Sequence, residues 1–300
     1  MRKRLAYLSN GADSATRLSA KLELLKNILS EMGSILIAYS GGTDSTFLLK
    51  VASSVLRDKL IAVTASSEIY PSEGLEEAKK NAELIGVKHV VVNTNELDNE
   101  NFASNPPERC YYCKKELFSK LMALAKQYQL NYVADGSNYD DLGDFRPGMR
   151  AANQFGVRSP LMEAKLTKEE IRTLSKEMNL PTWDKPPQPC LSTRFPYSTT
   201  LTREKIAKVE KAEKFLAGFG IKQLRVRVHG DIARIEVPKE DMPILLNEDT
   251  SRKIVNRFKS LGYTYITLDI QGYRMGSMNE PLKERVRIGQ KENRRASRKG

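Results

Sequence analysis

The chain has 300 residues, 40% hydrophobic and 29% charged, the mixture of a globular protein of about two domains and not of a disordered or fibrous one. No apolar run approaches the ~20 residues of a membrane-spanning helix, and the basic N-terminus lacks the apolar stretch of a secretory signal. Lys and Arg number 49 against 37 Asp and Glu, a net +12, and three cysteines are too few, and odd in number, for a disulfide scaffold, which points to the reduced cytoplasm.

Leu18, Leu22, Leu25, Ile28 and Leu29 recur at helical spacing, so 18–32 is predicted as a helix that Gly33 ends. Residues 34–39 form a short, nearly all-apolar run, as in a strand buried on both faces. SGGTDS at 40–45 is a glycine turn, followed by a helical pattern over 46–56. Further strands are predicted at 60–64, 89–92 and 132–134, and helices at 71–85 and 114–129. Strands alternating with helices imply an α/β fold with a doubly wound parallel sheet, whose ligand site lies at the carboxyl ends of the strands.

The proline cluster DKPPQPC (184–190) reads as a loop. Beyond it come a helix over 203–219, a hairpin from 224–229 and 232–237, a helix over 239–261 with its expected break near Pro243, and a strand over 263–270. These form a smaller C-terminal α+β domain. The expected division is 1–199, 200–280 and a basic tail over 281–300. Residues 283–300 hold eight Lys and Arg against two Glu, which is +6 of the total. No aromatic interleaves those charges to stack on bases, so the tail reads as solvated rather than as a nucleic-acid arm.

The turn SGGTDS carries the strongest chemistry. Gly41 and Gly42 let the backbone approach an anion and turn N–H groups inward. The helix that starts at Asp44 or Ser45 adds its positive end, and Ser40 and Ser45 add hydroxyls. There is no G-x-x-x-x-G-K-[ST], so this is not a Walker A loop. An ordinary tight turn capped by Asp44 is the competing reading. A second segment, DGSNYDD at 135–141, follows the fourth strand; its carboxylates and amides suit Mg²⁺, or a plain Asx-rich turn. Ser66, with Ser67 just past the second strand, is placed to meet a nucleoside.

Cys110 and Cys113 form a C-x-x-C, and Cys190 sits in the proline loop. A redox pair, a zinc site, a cluster held by three thiolates and three unrelated buried thiols all remain open on spacing. Arg225 and Arg227, two apart on a strand, share a face with either an anion or solvent.

SGGTDS after ILIAY resembles the PP-loop of the ATP pyrophosphatases, of adenine nucleotide alpha hydrolase-like fold, and DGSNYDD resembles their DGTNxDD segment. The longer strings DLGDFRPGMRAANQFGVRSPL (141–161), CLSTRFPYSTTLT (190–202), RVRVHGDIARIEVP (225–238) and YTYITLDIQGYRMGSMN (263–279) resemble the LarE family of ATP-dependent sulfur transferases. With the loop, the resemblance reaches to about residue 280.

It implies an enzyme that binds ATP at Ser40, Gly41, Gly42, Asp44 and Ser45, with Mg²⁺ held partly by Asp44; Ser66 joins that site by its position alone. Its substrate would be pyridinium-3,5-biscarboxylic acid mononucleotide, made into a thiocarboxylate for the nickel-pincer nucleotide cofactor. Some relatives sacrifice a single cysteine; others add a C-x-x-C and bind a [4Fe–4S] cluster through three. All three positions are filled here, so the resemblance implies a cluster on Cys110, Cys113 and Cys190 that receives sulfide from a sulfur donor. It further implies that Arg194, Arg225 and Arg227 bind a phosphate beside Glu213 and Glu236, and that the chain forms a homo-oligomer, a hexamer, with no membrane or nucleic-acid partner. The alternatives are a PP-loop [4Fe–4S]-dependent tRNA thiolase, which the +12 charge favours, and a non-catalytic nucleotide sensor, which the intact loop disfavours.

Overall fold

The computed structural model describes residues 2–143 and 146–280, with side chains from residue 16 onward; the basic tail lies outside the described residues. The chain divides into two compact units, Met1–Gln188 and Pro189–Gly300.

The first unit runs α1 (Arg2–Met32), β1 (Ile35–Ala38), α2 (Thr43–Leu56), β2 (Leu60–Ser66), α3 (Ser72–Ile85), β3 (Lys88–Asn93), α4 (Glu100–Ala103), α5 (Arg109–Gln127), β4 (Tyr132–Ala134), α6 (Pro147–Gln154), α7 (Pro160–Glu163) and α8 (Lys168–Glu177). The four strands pair in parallel in the order β3-β2-β1-β4, with Ile35 beside both Leu60 and Tyr132. This is the expected α/β sheet.

Alternation along the strands explains its all-apolar runs. Ile35, Ile37, Leu60 and Ala62 face Leu25, Leu29, Phe47, Leu161 and Ile171 of the helices on one side. Leu36, Ile61, Val63 and Val133 face Leu117, Phe118, Leu121 and Ala151 on the other. A strand covered by helices on both faces has no polar side, and each such side chain contributes about 1.5–3 kcal/mol on burial. The strand order reverses at β1. β2 and β3 extend to one side of it and β4 lies on the other, so a crevice opens between the carboxyl ends of β1 and β4.

α4, α6, α7 and α8 were not foreseen from periodicity. α8 is nonetheless marked by a capping box, in which the Thr167 hydroxyl accepts from the Glu170 amide and the Glu170 carboxylate accepts from the Thr167 amide.

The second unit contains α9 (Arg203–Ala217), β5 (Arg225–His229), β6 (Ile232–Glu236), α10 (Met242–Leu246), α11 (Glu248–Ser260) and β7 (Tyr265–Leu268). β5 and β6 form the expected hairpin, and β7 adds to β6 in parallel. Val226, Ala233, Ile235 and Val237 pack on Ala212 and Leu216 of α9 and on Ile254 and Phe258 of α11. The segment expected as a helix over 239–261, broken near Pro243, is a 3₁₀ turn (Lys239–Asp241) followed by two α-helices that part at Asn247. Pro243 sits in the first turn of α10, where no amide is required, while the Asn247 side chain accepts from the amides of Asp249 and Thr250 and starts α11.

Candidate active site

The glycine turn follows β1 directly, at the edge of the switch-point crevice. α2 begins at Thr43, with Gly42 as its N-cap. Gly41 adopts φ +69°, and a Cβ there would lie 2.9 Å from the Ala78 Cβ, so only glycine fits. The loop folds its donors inward. The Ser40 amide donates to Ser45 Oγ at 3.3 Å, the Gly42 amide to Ser40 Oγ at 3.4 Å, and the two hydroxyls lie 3.1 Å apart. The amide contacts are at the long limit for hydrogen bonds, so an anion at the helix N-terminus exchanges weak partners for strong ones.

The turn after β4 closes on this loop. A Cβ on Gly136 would stand 3.1 Å from both the amide nitrogen and Cα of Ser45. Asn138 Nδ2 reaches Asp44 Oδ2 at 3.4 Å. The carboxylates of DGSNYDD mostly hold the turn itself. Asp135 accepts from Ser137 and Ser159, Asp141 accepts from the Asn138 amide and pairs with Arg146, and Asp140 accepts from the Lys168 amide. Burial pushes the Asp141 carboxyl above the usual range. Asp44 remains as the partly exposed carboxylate beside the loop. A single carboxylate with substrate phosphates and water is a normal Mg²⁺ donor set, so Asp44 fits that ion.

Two lysines flank the loop. Lys168 Nζ lies 2.8 Å from both oxygens of Asp44. Lys185 Nζ donates to the Gly41 carbonyl at 3.3 Å and to Glu77 Oε2 at 2.7 Å. Sequence reasoning missed both. Only the capping box beside Lys168 gave a local signal, and Lys185 lay within the loop read from its prolines.

Ser66 ends β2, on the same edge of the sheet. Its neighbour Ser67 donates to Glu96 Oε2 at 2.5 Å. The fully buried Glu96 also accepts from Thr94 Oγ1 at 2.9 Å and from the Cys113 thiol at 3.7 Å. Tyr70 Oη lies 3.3 Å from Cys113 Sγ. The C-x-x-C therefore occupies the first turn of α5, with Cys110 exposed and Cys113 buried, joined through Glu96 to the carboxyl end of β2. Thiolate is the form of cysteine that binds soft metals. Among the described residues, no group of three or more His, Cys, Asp or Glu side chains is gathered as a metal site.

In the second unit, Cys190 precedes a 3₁₀ turn over Leu191–Arg194 and is half-buried. Arg194 is 2% exposed. It forks onto Glu213 with two bonds of 2.8 Å, and its third nitrogen donates to the carbonyls of Pro189 and Cys190 at 2.9 and 3.1 Å. These bonds also anchor the Cys190 turn. Arg227 is buried against Glu236 at 2.9 Å and donates to the Thr193 carbonyl at 3.0 Å and to Ser277 Oγ at 3.2 Å. Glu236 is completely buried between Arg227, Arg234 and Ser277. Arg225 is also buried, with its guanidinium 5.3 Å from the Tyr273 ring centroid. The solvated hairpin face weighed as an alternative for Arg225 and Arg227 is thus not what forms. Desolvation, then the like charge of Arg194, pulls the Arg225 pKa below the ordinary guanidinium value. The charge of Glu213 offsets part of this. Arg194, Glu213, Arg225, Arg227 and Glu236 are thus one cluster.

A parallel sheet with a glycine turn and helix N-terminus at its switch point defines the first unit as an ATP-pyrophosphatase-type, PP-loop α/β unit. No protein-family model matches the chain. Individual relatives do. It is 46% identical over 265 residues to an uncharacterized protein of Synechocystis sp., covering 88% of this chain and 99% of that one. It is 38% identical over 268 residues to the pyridinium-3,5-bisthiocarboxylic acid mononucleotide synthase of Lactiplantibacillus plantarum, covering 88% and 96%. An uncharacterized protein of Methanocaldococcus jannaschii is 34% identical over 257 residues, covering 85% and 97%. The chain belongs to the LarE family, that of the pyridinium-3,5-bisthiocarboxylic acid mononucleotide synthases.

Proposed function

We propose that the chain is an ATP-dependent sulfur transferase acting on pyridinium-3,5-biscarboxylic acid mononucleotide, in nickel-pincer nucleotide biosynthesis. The observation that carries this reading is the near full-length similarity to the Lactiplantibacillus synthase, together with a glycine turn at the switch point of the sheet.

A carboxylate is a poor electrophile, and adenylylation corrects that. The substrate carboxylate oxygen attacks the α-phosphorus of ATP, and the bond to the bridging oxygen breaks to release pyrophosphate. A sulfur nucleophile then adds to the acyl carbon, AMP departs, and a thiocarboxylate remains. The amides of the Ser40–Ser45 loop and the α2 N-terminus hold charge on the departing pyrophosphate, which is electrostatic stabilisation. Asp44 would hold Mg²⁺, which would neutralise the same charge, and Ser66 would border the nucleoside. The buried Arg194, Arg225 and Arg227 would receive the substrate phosphate, with Glu213 and Glu236 orienting the cluster and Arg194 also setting the Cys190 turn.

The three thiols Cys110, Cys113 and Cys190 would hold a [4Fe–4S] cluster with one iron lacking a protein ligand, a position suited to exogenous sulfide. The soft donor set supports this. The reading includes a cytoplasmic homo-oligomer, a hexamer. No helix among the described residues is long and apolar enough to cross a membrane.

The experiment supplies ATP, Mg²⁺, sulfide and the biscarboxylic mononucleotide to anaerobically purified protein. AMP, pyrophosphate and thiocarboxylate are expected in equal amounts. AMP release driven by tRNA in place of the mononucleotide would favour the thiolase reading instead. Iron and labile sulfide analysis beside Cys110→Ala, Cys113→Ala and Cys190→Ala tests the cluster, and unchanged iron in all three variants rejects it.

A further inference from the structure

The peptide joining Gly41 to Gly42 lies at the centre of the loop. Because a trans peptide is planar, its carbonyl and its N–H point in opposite directions. The Gly42 N–H faces inward, toward Ser40 Oγ, while the Gly41 carbonyl faces outward to Lys185 Nζ. With glycine on both sides, this plane can rotate at little steric cost. Rotation would turn the Gly42 amide away and bring a carbonyl oxygen into the anion site.

Lys185 is itself held at several points. Its amide donates to the Thr182 carbonyl at 3.2 Å, its carbonyl accepts from Arg172 at 3.2 Å, and its ammonium is fixed by Glu77. The Thr182 carbonyl also accepts from Thr43 Oγ1 at 2.8 Å, so the segment braces the loop on both sides of Gly42. The Lys185 side chain is only 12% exposed, as suits a fixed brace.

We propose that Lys185 is a positioning residue that locks the Gly41–Gly42 peptide with its N–H toward the phosphates. This rests on the reading of the loop as an ATP site and adds to it a residue from a distant segment. The lock acts on the phosphates and leaves the nucleoside contacts alone.

The test compares binding of inorganic pyrophosphate with Mg²⁺, and of adenosine, by wild type, Lys185→Met and Lys185→Arg. Lys185→Met is expected to weaken pyrophosphate binding by about tenfold or more, at low and high salt alike, with adenosine affinity unchanged. Lys185→Arg, which can still donate to the Gly41 carbonyl, recovers most of the loss. Glu77→Gln, which loosens the ammonium without removing it, gives a smaller loss. Pyrophosphate affinity within about twofold of wild type in Lys185→Met overturns the lock. So does an equal loss for adenosine, or a deficit that vanishes at high salt and so reflects direct charge attraction. A wild type that binds neither ATP nor pyrophosphate overturns the nucleotide reading and this inference together. A wild type that binds both, with Lys185→Met equal to it, overturns this inference alone.

Discussion

The ammonium of Lys168 bridges both carboxylate oxygens of Asp44 at 2.8 Å, from 124 positions away in the chain. Asp44, on the loop itself, is thus neutralised by a cation from α8. Without that cation, Asp44 would repel an incoming triphosphate until a metal ion reached it.

Lys168→Met should therefore weaken ATP binding most when Mg²⁺ is absent. A loss of about tenfold without the ion and little loss with it is the expected pattern in titration calorimetry. An equal loss in both conditions would show that Lys168 does more than balance Asp44. The pair is partly exposed, so stability should change by less than about 1 kcal/mol.

Gly41→Ala should damage both stability and nucleotide binding. A side chain at φ +69° costs about 1–2 kcal/mol, and the added Cβ meets Ala78, backbone included, at 2.9–3.1 Å. Thermal melting and ATP titration together check this. Gly136→Ala should act chiefly on binding, since its Cβ presses on the amide of Ser45 and so on the start of α2. Normal ATP affinity in Gly136→Ala would mean that the turn after β4 yields freely.

Glu213→Ala should be among the most destabilising single changes in the second unit. It leaves the Arg194 guanidinium buried without its carboxylate, a loss of about 3–5 kcal/mol for a broken buried pair. It also removes the acceptor of the Val226 amide. The double variant Arg194→Met, Glu213→Leu should regain part of the loss in urea unfolding. If the single variant unfolds at the wild-type midpoint, the pair carries no such weight.

His89 gives a pH dependence of known sign. Burial, then the charge of Lys79, lowers its pKa, and its Nε2 lies 2.8 Å from Thr64 Oγ1. The unfolded chain therefore takes the proton first as pH falls. The stability contributed by neutral His89 is complete above the ordinary histidine value of about 6.5 and is lost as pH drops through the lowered folded value. His89→Gln should flatten the fall in denaturation midpoint across that window. A slope equal to wild type would assign the effect to other groups.

Particular residues show what could be read before folding. ILIA at Ile35–Ala38 is apolar throughout because each face of the strand meets helices, and a local run of residues is enough to reveal that. SGGTDS announces a close backbone turn because only glycine tolerates the conformation at Gly41. The hairpin about Gly230 and Asp231 likewise follows from alternation on either side of a turn. Pro243 marks the start of α10 just after a 3₁₀ turn, because a proline fits the first turn of a helix. Asn247, whose side chain caps the next helix, makes the break between the two helices.

The order of residues by itself determined the sheet, the glycine loop, the hairpin and the family, because those depend on patterns a few residues long or on long shared strings. Only the tertiary structure decided that Arg225 and Arg227 are buried with Glu236 and the Arg194–Glu213 pair rather than solvated, and that Lys168 and Lys185 close around the loop. Charge balance in a folded molecule depends on which side chains lose water together. That is a property of distance in space, and no local pattern encodes it.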